Sequence, residues 1–186
     1  MANQNRKLVP DDKISSLLAS IRKSVKRGLR DLDTALGEFP DDPRLHFLKG
    51  SLEAGQEDYA AARASMRRAV DLAPDFAVAR FQLGLLLLTS GEPHAAQEAW
   101  GPLHGLPPDN YMHLFVRGLT HLIHDQFEDT ARLLQEGISR NRENAPMNND
   151  MQMVIDEVQK KMSGKGAAAT SSVDLLLQQA RLKSRH

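Results

Sequence analysis

The sequence predicts an all-α fold, a solenoid of stacked antiparallel helical hairpins. The first observation is a period of 34 residues, at which several residue types recur in independent columns. These columns are Gly50, Gly84 and Gly118; Phe47, Phe81 and Phe115; Met66, Trp100 and Leu134; and Pro74 and Pro108. The second is their chemistry, since a glycine within a first helix lets a second helix cross closely, and a large apolar residue then fills the remaining gap. The third is the proline that closes two of the units, since proline cannot continue a helix. One such hairpin cannot bury its own apolar face, so neighbouring hairpins must stack.

The period and its columns resemble the tetratricopeptide repeat, a 34-residue helix–turn–helix unit. The middle unit matches best, because Ala79 to Gly84 is followed at the family's spacing by Gly91, Ala96, Trp100 and Pro108. The resemblance implies three repeats, at residues 43–76, 77–110 and 111–143, in an α-solenoid with a right-handed superhelix. It also implies that the first helix of each hairpin lines a concave face. The family's scaffold carries unrelated partners, so the resemblance predicts protein binding without naming the partner.

The outer repeats depart from the family pattern at two positions. Where the family has leucine and tyrosine, the first repeat has Lys49 and Glu53, and the third has Arg117 and His121. Each pair is spaced i,i+4 and therefore lies on one helix face. We expect looser packing of these repeats, with the long side chains reaching water. The alternative is a buried polar site.

Before the repeats, residues 1–10 are expected to be disordered, and they lack the apolar segment of a secretory signal. Residues 11–42 are expected to be a degenerate helical unit, because Ala35 and Pro40 lie one period before Ala69 and Pro74. With no turn signal near Lys23, residues 11–39 form either a broken hairpin or one long helix.

After the repeats, the sequence predicts a closing helix, a linker and a tail helix. Residues 144–163 read as one capping helix whose apolar face holds Met151, Val154, Ile155, Val158 and Met162. Residues 164–171 have the composition of a flexible linker. Residues 172–184 predict an amphipathic C-terminal helix with an apolar face of Val173, Leu176, Leu177 and Ala180. We expect this helix to dock on an apolar groove of its own chain or, by exchange, of a second copy in a homodimer. The alternative is a frayed terminus.

Apolar side chains occupy the concave columns that the resemblance implies. The predicted peptide-binding groove consists of Phe47, Val78, Phe81, Leu85, Leu88, Met112, Phe115, Leu119 and Leu122. The positions that match the family's carboxylate clamp hold Phe47, Ser51, Gln82, Met112 and Val116, so chaperone-tail binding is not expected. An apolar groove suits an amphipathic helix or an extended apolar peptide. The alternative is that these residues are core that packs between hairpins.

Several function classes find no support in the sequence. There is no cysteine, and 24 basic residues balance 24 acidic ones, so no net charge attracts nucleic acid. The basic residues Arg22, Lys23, Lys26, Arg27 and Arg30, of which 22, 26 and 30 align on one predicted helix face, are interpreted as a solvated surface. No phosphate loop, nucleophile elbow or zinc-protease motif is present, so neither an enzyme nor a cofactor is predicted.

The sequence also lacks the features of a metal site and of a membrane-inserted segment. His113, His121 and His124 share a predicted helix, but no nearby residue completes a tetrahedral set, so no metal is predicted. The longest aliphatic run, residues 85–88, is too short to insert in a membrane, and a cytoplasmic protein is expected.

The sequence therefore predicts an adaptor or co-chaperone-like module that binds another protein or peptide. One alternative is a self-assembly protein that links its copies by tail exchange. Another is an accessory subunit of a separate enzyme or of a secretion system.

Overall fold

The computed structural model describes residues 7–164, which contain helices and no strand. The helices are α1 (Asp11–Lys23), α2 (Val25–Glu38), α3 (Pro43–Gly55), α4 (Tyr59–Leu72), α5 (Ala77–Thr89), α6 (Pro93–Trp100), α7 (Tyr111–Ile123), α8 (Phe127–Arg140) and α9 (Ala145–Met162), with a 3-10 helix at Gly101–Gly105. None of them is long and apolar enough to cross a membrane. The predicted all-α fold of helical hairpins is confirmed. The chain divides into two compact units, Met1–Leu83 and Gly84–His186.

In the first unit, residues 11–38 form a hairpin and not one long helix. Ser24 is extended, with φ −164° and ψ 118°, and its hydroxyl accepts a hydrogen bond from the Arg27 amide at 3.4 Å. This one residue ends α1 and caps α2. Gly28 allows the tight reversal, since a Cβ there would lie 2.9 Å from the Cα of Ile21.

The helix break at Ser24 also changes the basic patch. Arg22 lies on α1, whereas Lys26 and Arg30 lie on α2. The expected alignment of these three residues on one helix face is therefore wrong, because that alignment requires an unbroken helix. All five basic residues of the patch are exposed.

The ordered part of the first unit begins before α1. Val9, within the segment expected to be disordered, is only 2% exposed and packs in a core with Leu17, Leu32 and Phe39. Its amide donates to Oδ2 of Asp42 at 2.8 Å. A short N-terminal strap therefore closes this end of the core. Residues 1–6 lie outside the described residues.

Each hairpin turn of the three repeats contains one residue with a left-handed backbone, and these residues recur at the repeat period. Glu57, Gly91 and Asp125 have φ of 65°, 81° and 56° and follow one another at intervals of 34 residues. Each follows a first helix, where a left-handed residue redirects the chain toward the second. Only Gly91 adopts this backbone without steric cost.

In the second unit, the glycine columns lie at helix crossings, as predicted. A Cβ on Gly84 would lie 2.1 Å from Nε1 of Trp100, and one on Gly118 would lie 2.7 Å from Cδ2 of Leu134. The middle repeat nevertheless has a short second helix, because α6 ends at Trp100 and continues as the 3-10 helix that contains Pro102. Proline lacks the amide needed for another α-helical hydrogen bond.

Helix α9 closes the described chain. The side chain of Asn144 caps it by accepting from the Met147 amide at 3.1 Å. Its buried face is Met147, Met151, Val154, Ile155 and Val158, whereas Met162 is 47% exposed near the helix end. The predicted tail helix, with Val173, Leu176, Leu177 and Ala180, and the linker beyond Gly164 lie outside the described residues.

Candidate peptide-binding surface

The nine predicted groove residues differ widely in exposure. Six are buried, namely Phe81, Leu88, Met112, Phe115, Leu119 and Leu122, with exposures of 0–7%. Three are half-buried, namely Phe47, Val78 and Leu85. A side chain without exposed surface cannot contact a ligand unless the protein moves. The accessible part of the predicted set is therefore limited to these three residues.

Phe115 shows why the buried members are inaccessible. A Cβ on Gly137 would lie 2.5 Å from Cδ1 and Cε1 of Phe115, so the ring occupies the space left by that glycine between α7 and α8. Tyr111 makes an edge contact with the same ring, with centroids 5.8 Å apart. The ring thus fills the interior of its own hairpin, which is the core packing that was the alternative to ligand binding.

Phe47 has a different environment in the first unit. Its ring contacts Phe76, with centroids 5.3 Å apart and planes inclined by 60°. Both rings are half-buried, and so is Val78, two residues after Phe76 at the start of α5. Ser51, one turn along α3, is exposed and donates its hydroxyl to the Phe47 carbonyl at 2.9 Å. The face of α3 around Phe47 is therefore apolar and partly open.

The polar positions of the first repeat form a bonded cluster. Nζ of Lys49 lies 2.6 Å from Oδ1 of Asp33 and 4.0 Å from Oε1 of Glu53. Ser65 donates to Oε2 of the same Glu53 at 2.6 Å. The hydrogen bond with Asp33 is the main cause that raises the pKa of Lys49. Lys49 and Glu53 side chains are 28% and 11% exposed, so they join three helices and do not simply extend into water.

The corresponding positions of the third repeat lack such a cluster. Arg117 is exposed, and within residues 7–164 it makes no hydrogen bond or ion pair. His121 bonds through Nδ1 to Oε1 of Gln126 at 2.5 Å. His104, in the 3-10 helix, faces His113 edge-on with ring centroids 6.3 Å apart. Burial, then positive charge on His113 and Arg117, lowers the pKa of His104.

The three histidines of α7 are not gathered into a metal site. His113 pairs with His104, His121 bonds to Gln126, and His124 is exposed at the helix end. Within the described part of the chain, no three His, Cys, Asp or Glu side chains are placed to hold one metal ion.

Two partners in these polar groups were not predicted from the sequence. Asp33 lies 16 residues before Lys49, and His104 lies 9 residues before His113, so neither pair follows a within-helix spacing. The repeat period carries no signal for Asp33, because the positions one and two periods later are Arg67 and Gly101.

Comparison with known proteins identifies the repeat type. Residues 24–75 match the tetratricopeptide repeat family. No curated protein matches the sequence. Among solved structures, residues 41 to the end of MamA from Desulfovibrio magneticus RS-1 share 15% identity with a TM-score of 0.60, over 94% of each chain. The MamA RS-1 ArsTM double mutant shares 15% identity with a TM-score of 0.59, also over 94% of each chain. At this identity the likeness concerns the fold alone.

Proposed function

We propose that this chain, in which residues 24–75 match the tetratricopeptide repeat family, is a non-catalytic protein-interaction module of the adaptor type. It binds an amphipathic helix or an extended apolar segment on the face of α3 around Phe47. The observation that carries the proposal is the half-buried Phe47, which stands in a column where the family's clamp holds a polar residue. An apolar ring with open surface at that position favours an apolar ligand over a carboxylate.

Each side chain of the surface is expected to contribute only a modest part of the binding free energy. Full burial of a phenylalanine side chain contributes on the order of 1.5–3 kcal/mol. Since the Phe47 ring already packs on Phe76, ligand burial of its remaining surface contributes roughly half of that. Binding therefore requires several such contacts, for which Phe76 and Val78 of the same unit also keep part of their surface accessible. An amphipathic helix with apolar residues on one face supplies them together.

The test is photo-crosslinking from the groove. Phe47 is replaced by benzoylphenylalanine in the full-length chain, which is irradiated alone and with a labelled peptide of residues 170–186. We expect crosslinks to the peptide or to the same segment of a chain, mapped by mass spectrometry. The matched control places the photoreactive group at Tyr59, which is 41% exposed on a second helix.

The pattern of crosslinks identifies the ligand. A crosslink within one chain means that the tail occupies its own groove, and a crosslinked dimer means that the tail is exchanged between copies. A crosslink to the added peptide means that the groove is open. Crosslinking at position 47 that does not exceed that at position 59 contradicts the proposal, because the face around Phe47 would then have no preference for an amphipathic segment.

A further inference from the structure

Arg117 is the two-period counterpart of Lys49, yet it lacks the acidic partners of that lysine. In the first unit Lys49 is neutralised by Asp33 and Glu53, at 2.6 Å and 4.0 Å. The residues 68 positions after these two acids are Gly101 and His121. The repeat therefore keeps the cation and has lost both carboxylates. Arg117 is also exposed, whereas the lysine is largely covered.

Histidines precede and follow this arginine on the same side of α7. His113, Arg117 and His121 are spaced i, i+4 and i+8 on α7 and so follow one side of the helix. His104 faces the first of these rings from the 3-10 helix, with centroids 6.3 Å apart. Nδ1 of His113 is buried and makes no hydrogen bond with the described residues, so that atom does not reach an external ligand. The three side chains form a row that spans about 12 Å of helix, at 1.5 Å per residue.

The charged groups around this row leave it positive. Asp129 of α8 is a carboxylate on which the charges of His121 and Arg117 act, and its side chain is bonded to Arg132 at 2.7 Å. That hydrogen bond is the main cause that lowers the pKa of Asp129, and positive charge on His121 and Arg117 lowers it further. Asp129 is therefore already engaged by another arginine. The exposed guanidinium of Arg117 remains available to an external anion, and so does the exposed side chain of His104.

We propose that Arg117, with His104, His113 and His121, binds an acidic peptide segment of a protein partner. The guanidinium pairs with one carboxylate, and the imidazoles hydrogen-bond to the carboxylates beside it. This inference rests on the proposed function in that the ligand is a polypeptide. The row differs from the family's carboxylate clamp, because the clamp positions Met112 and Val116 are buried here.

Charge and length favour an acidic peptide from another protein. The chain's own residues 165–186 contain four Lys or Arg residues and one Asp, so they are basic and do not complement the row. A single small anion contacts one point, whereas a row of about 12 Å spans roughly four residues of an extended chain. Carboxylates on successive turns or alternate residues of a peptide match that length.

The test is fluorescence anisotropy of a labelled hexaglutamate peptide titrated with the full-length chain at low salt. We expect saturable binding that weakens at least about tenfold in Arg117→Gln, the loss expected for one charge-assisted contact. Arg117→Lys should retain most of the affinity. The matched control, Arg67→Gln, removes the same charge from an exposed site of the first unit and should bind as the unmodified chain does.

Three results would overturn this proposal. One is an absence of saturable binding, and another is an equal loss in Arg67→Gln, which would mean that only net charge matters. The third is displacement of the peptide by inorganic phosphate at matched ionic strength and equal charge, which would mean a small-anion site. Photo-crosslinking from position 47 in the Arg117→Gln chain separates the two proposals. If it persists while hexaglutamate binding fails, the apolar groove stands without the acidic site.

Discussion

Asp42 holds the N-terminal strap and the start of α3 together, and replacing it with asparagine should destabilise the first unit. The carboxylate is 0% exposed. Oδ2 accepts from the Val9 amide and from Nη2 of Arg44, both at 2.8 Å. Oδ1 accepts from the Arg44 amide at 2.9 Å and from Nε of the same side chain at 3.1 Å. Every acceptor site of the carboxylate is therefore used by a neighbouring donor.

Asparagine keeps the shape of this side chain but removes its charge and turns one acceptor into a donor. At least one buried donor is then unpaired, which costs about 1–3 kcal/mol. Weakening the ion pair with Arg44, whose side chain is 33% exposed, adds to this loss. The free energy of unfolding should therefore fall by about 3 kcal/mol in Asp42→Asn. Asp41→Asn is the matched control, because Asp41 pairs with Arg68 at the surface, with both side chains about half exposed. A pair of that kind contributes about 0–1 kcal/mol.

The measurement is urea unfolding at pH 7 followed by circular dichroism, with hydrogen exchange of the Val9 amide as the local readout. Equal destabilisation by the two substitutions would refute the reasoning, since buried bonding would then contribute no more than a surface pair. Unchanged exchange at Val9 would refute the role of Asp42 in holding the strap.

The difference in stability between the unmodified chain and Asp42→Asn should depend on pH. Burial raises the pKa of Asp42, but hydrogen bonds from Arg44 and the Val9 amide outweigh it and hold the pKa below its ordinary value. The ionised carboxylate therefore stabilises the fold at pH values above the unfolded pKa of about 3.9. This stabilisation is lost as the pH falls through the lower pKa of the folded state. The advantage of the unmodified chain over Asp42→Asn should be full at pH 5–7 and vanish in strong acid.

Two further substitutions test the repeat geometry by thermal unfolding. Gly84→Ala should lower stability by about 1–3 kcal/mol, because its Cβ would overlap the buried Trp100 ring, 2.1 Å from Nε1. Gly37→Ala, which meets nothing within 4 Å in α2, should not destabilise, and a similar loss there would exclude the crossing as the cause. Glu57→Gly should raise stability by about 1 kcal/mol, since it relieves a left-handed backbone with φ 65°. A lower melting temperature in that variant would show that the glutamate side chain matters more than its backbone.

The repeat period predicted the hairpins well because its columns reflect local geometry. The glycines at 50, 84 and 118 each lie against the large second-helix residue of the same hairpin, as their spacing implied. The period also extends further back than the predicted repeats, since Gly28 and Leu32 precede Ala62 and Met66 by 34 residues. The turn at Ser24 gave no sequence signal, because one extended residue requires neither proline nor glycine.

The candidate site was harder to predict, because residues of one column have different neighbours. Phe47 and Phe115 stand two periods apart, but Phe47 packs on a half-buried ring and Phe115 fills the space beside Gly137. The space that receives a side chain depends on residues that the column does not include. A position in the repeat therefore predicts that a residue is apolar, but not how much of it is exposed.

By itself, the sequence determined the helical hairpins, their period and their close crossings, because these depend on residue size and backbone freedom at fixed spacings. Only the tertiary structure decided which apolar side chains stay accessible and which cations are neutralised. Lys49 is paired because Asp33 of another helix reaches it, whereas Arg117 is not paired with any described residue. The exposure of a side chain and the pairing of a charge arise from contacts between helices that are distant in sequence, so the repeat period alone does not predict them.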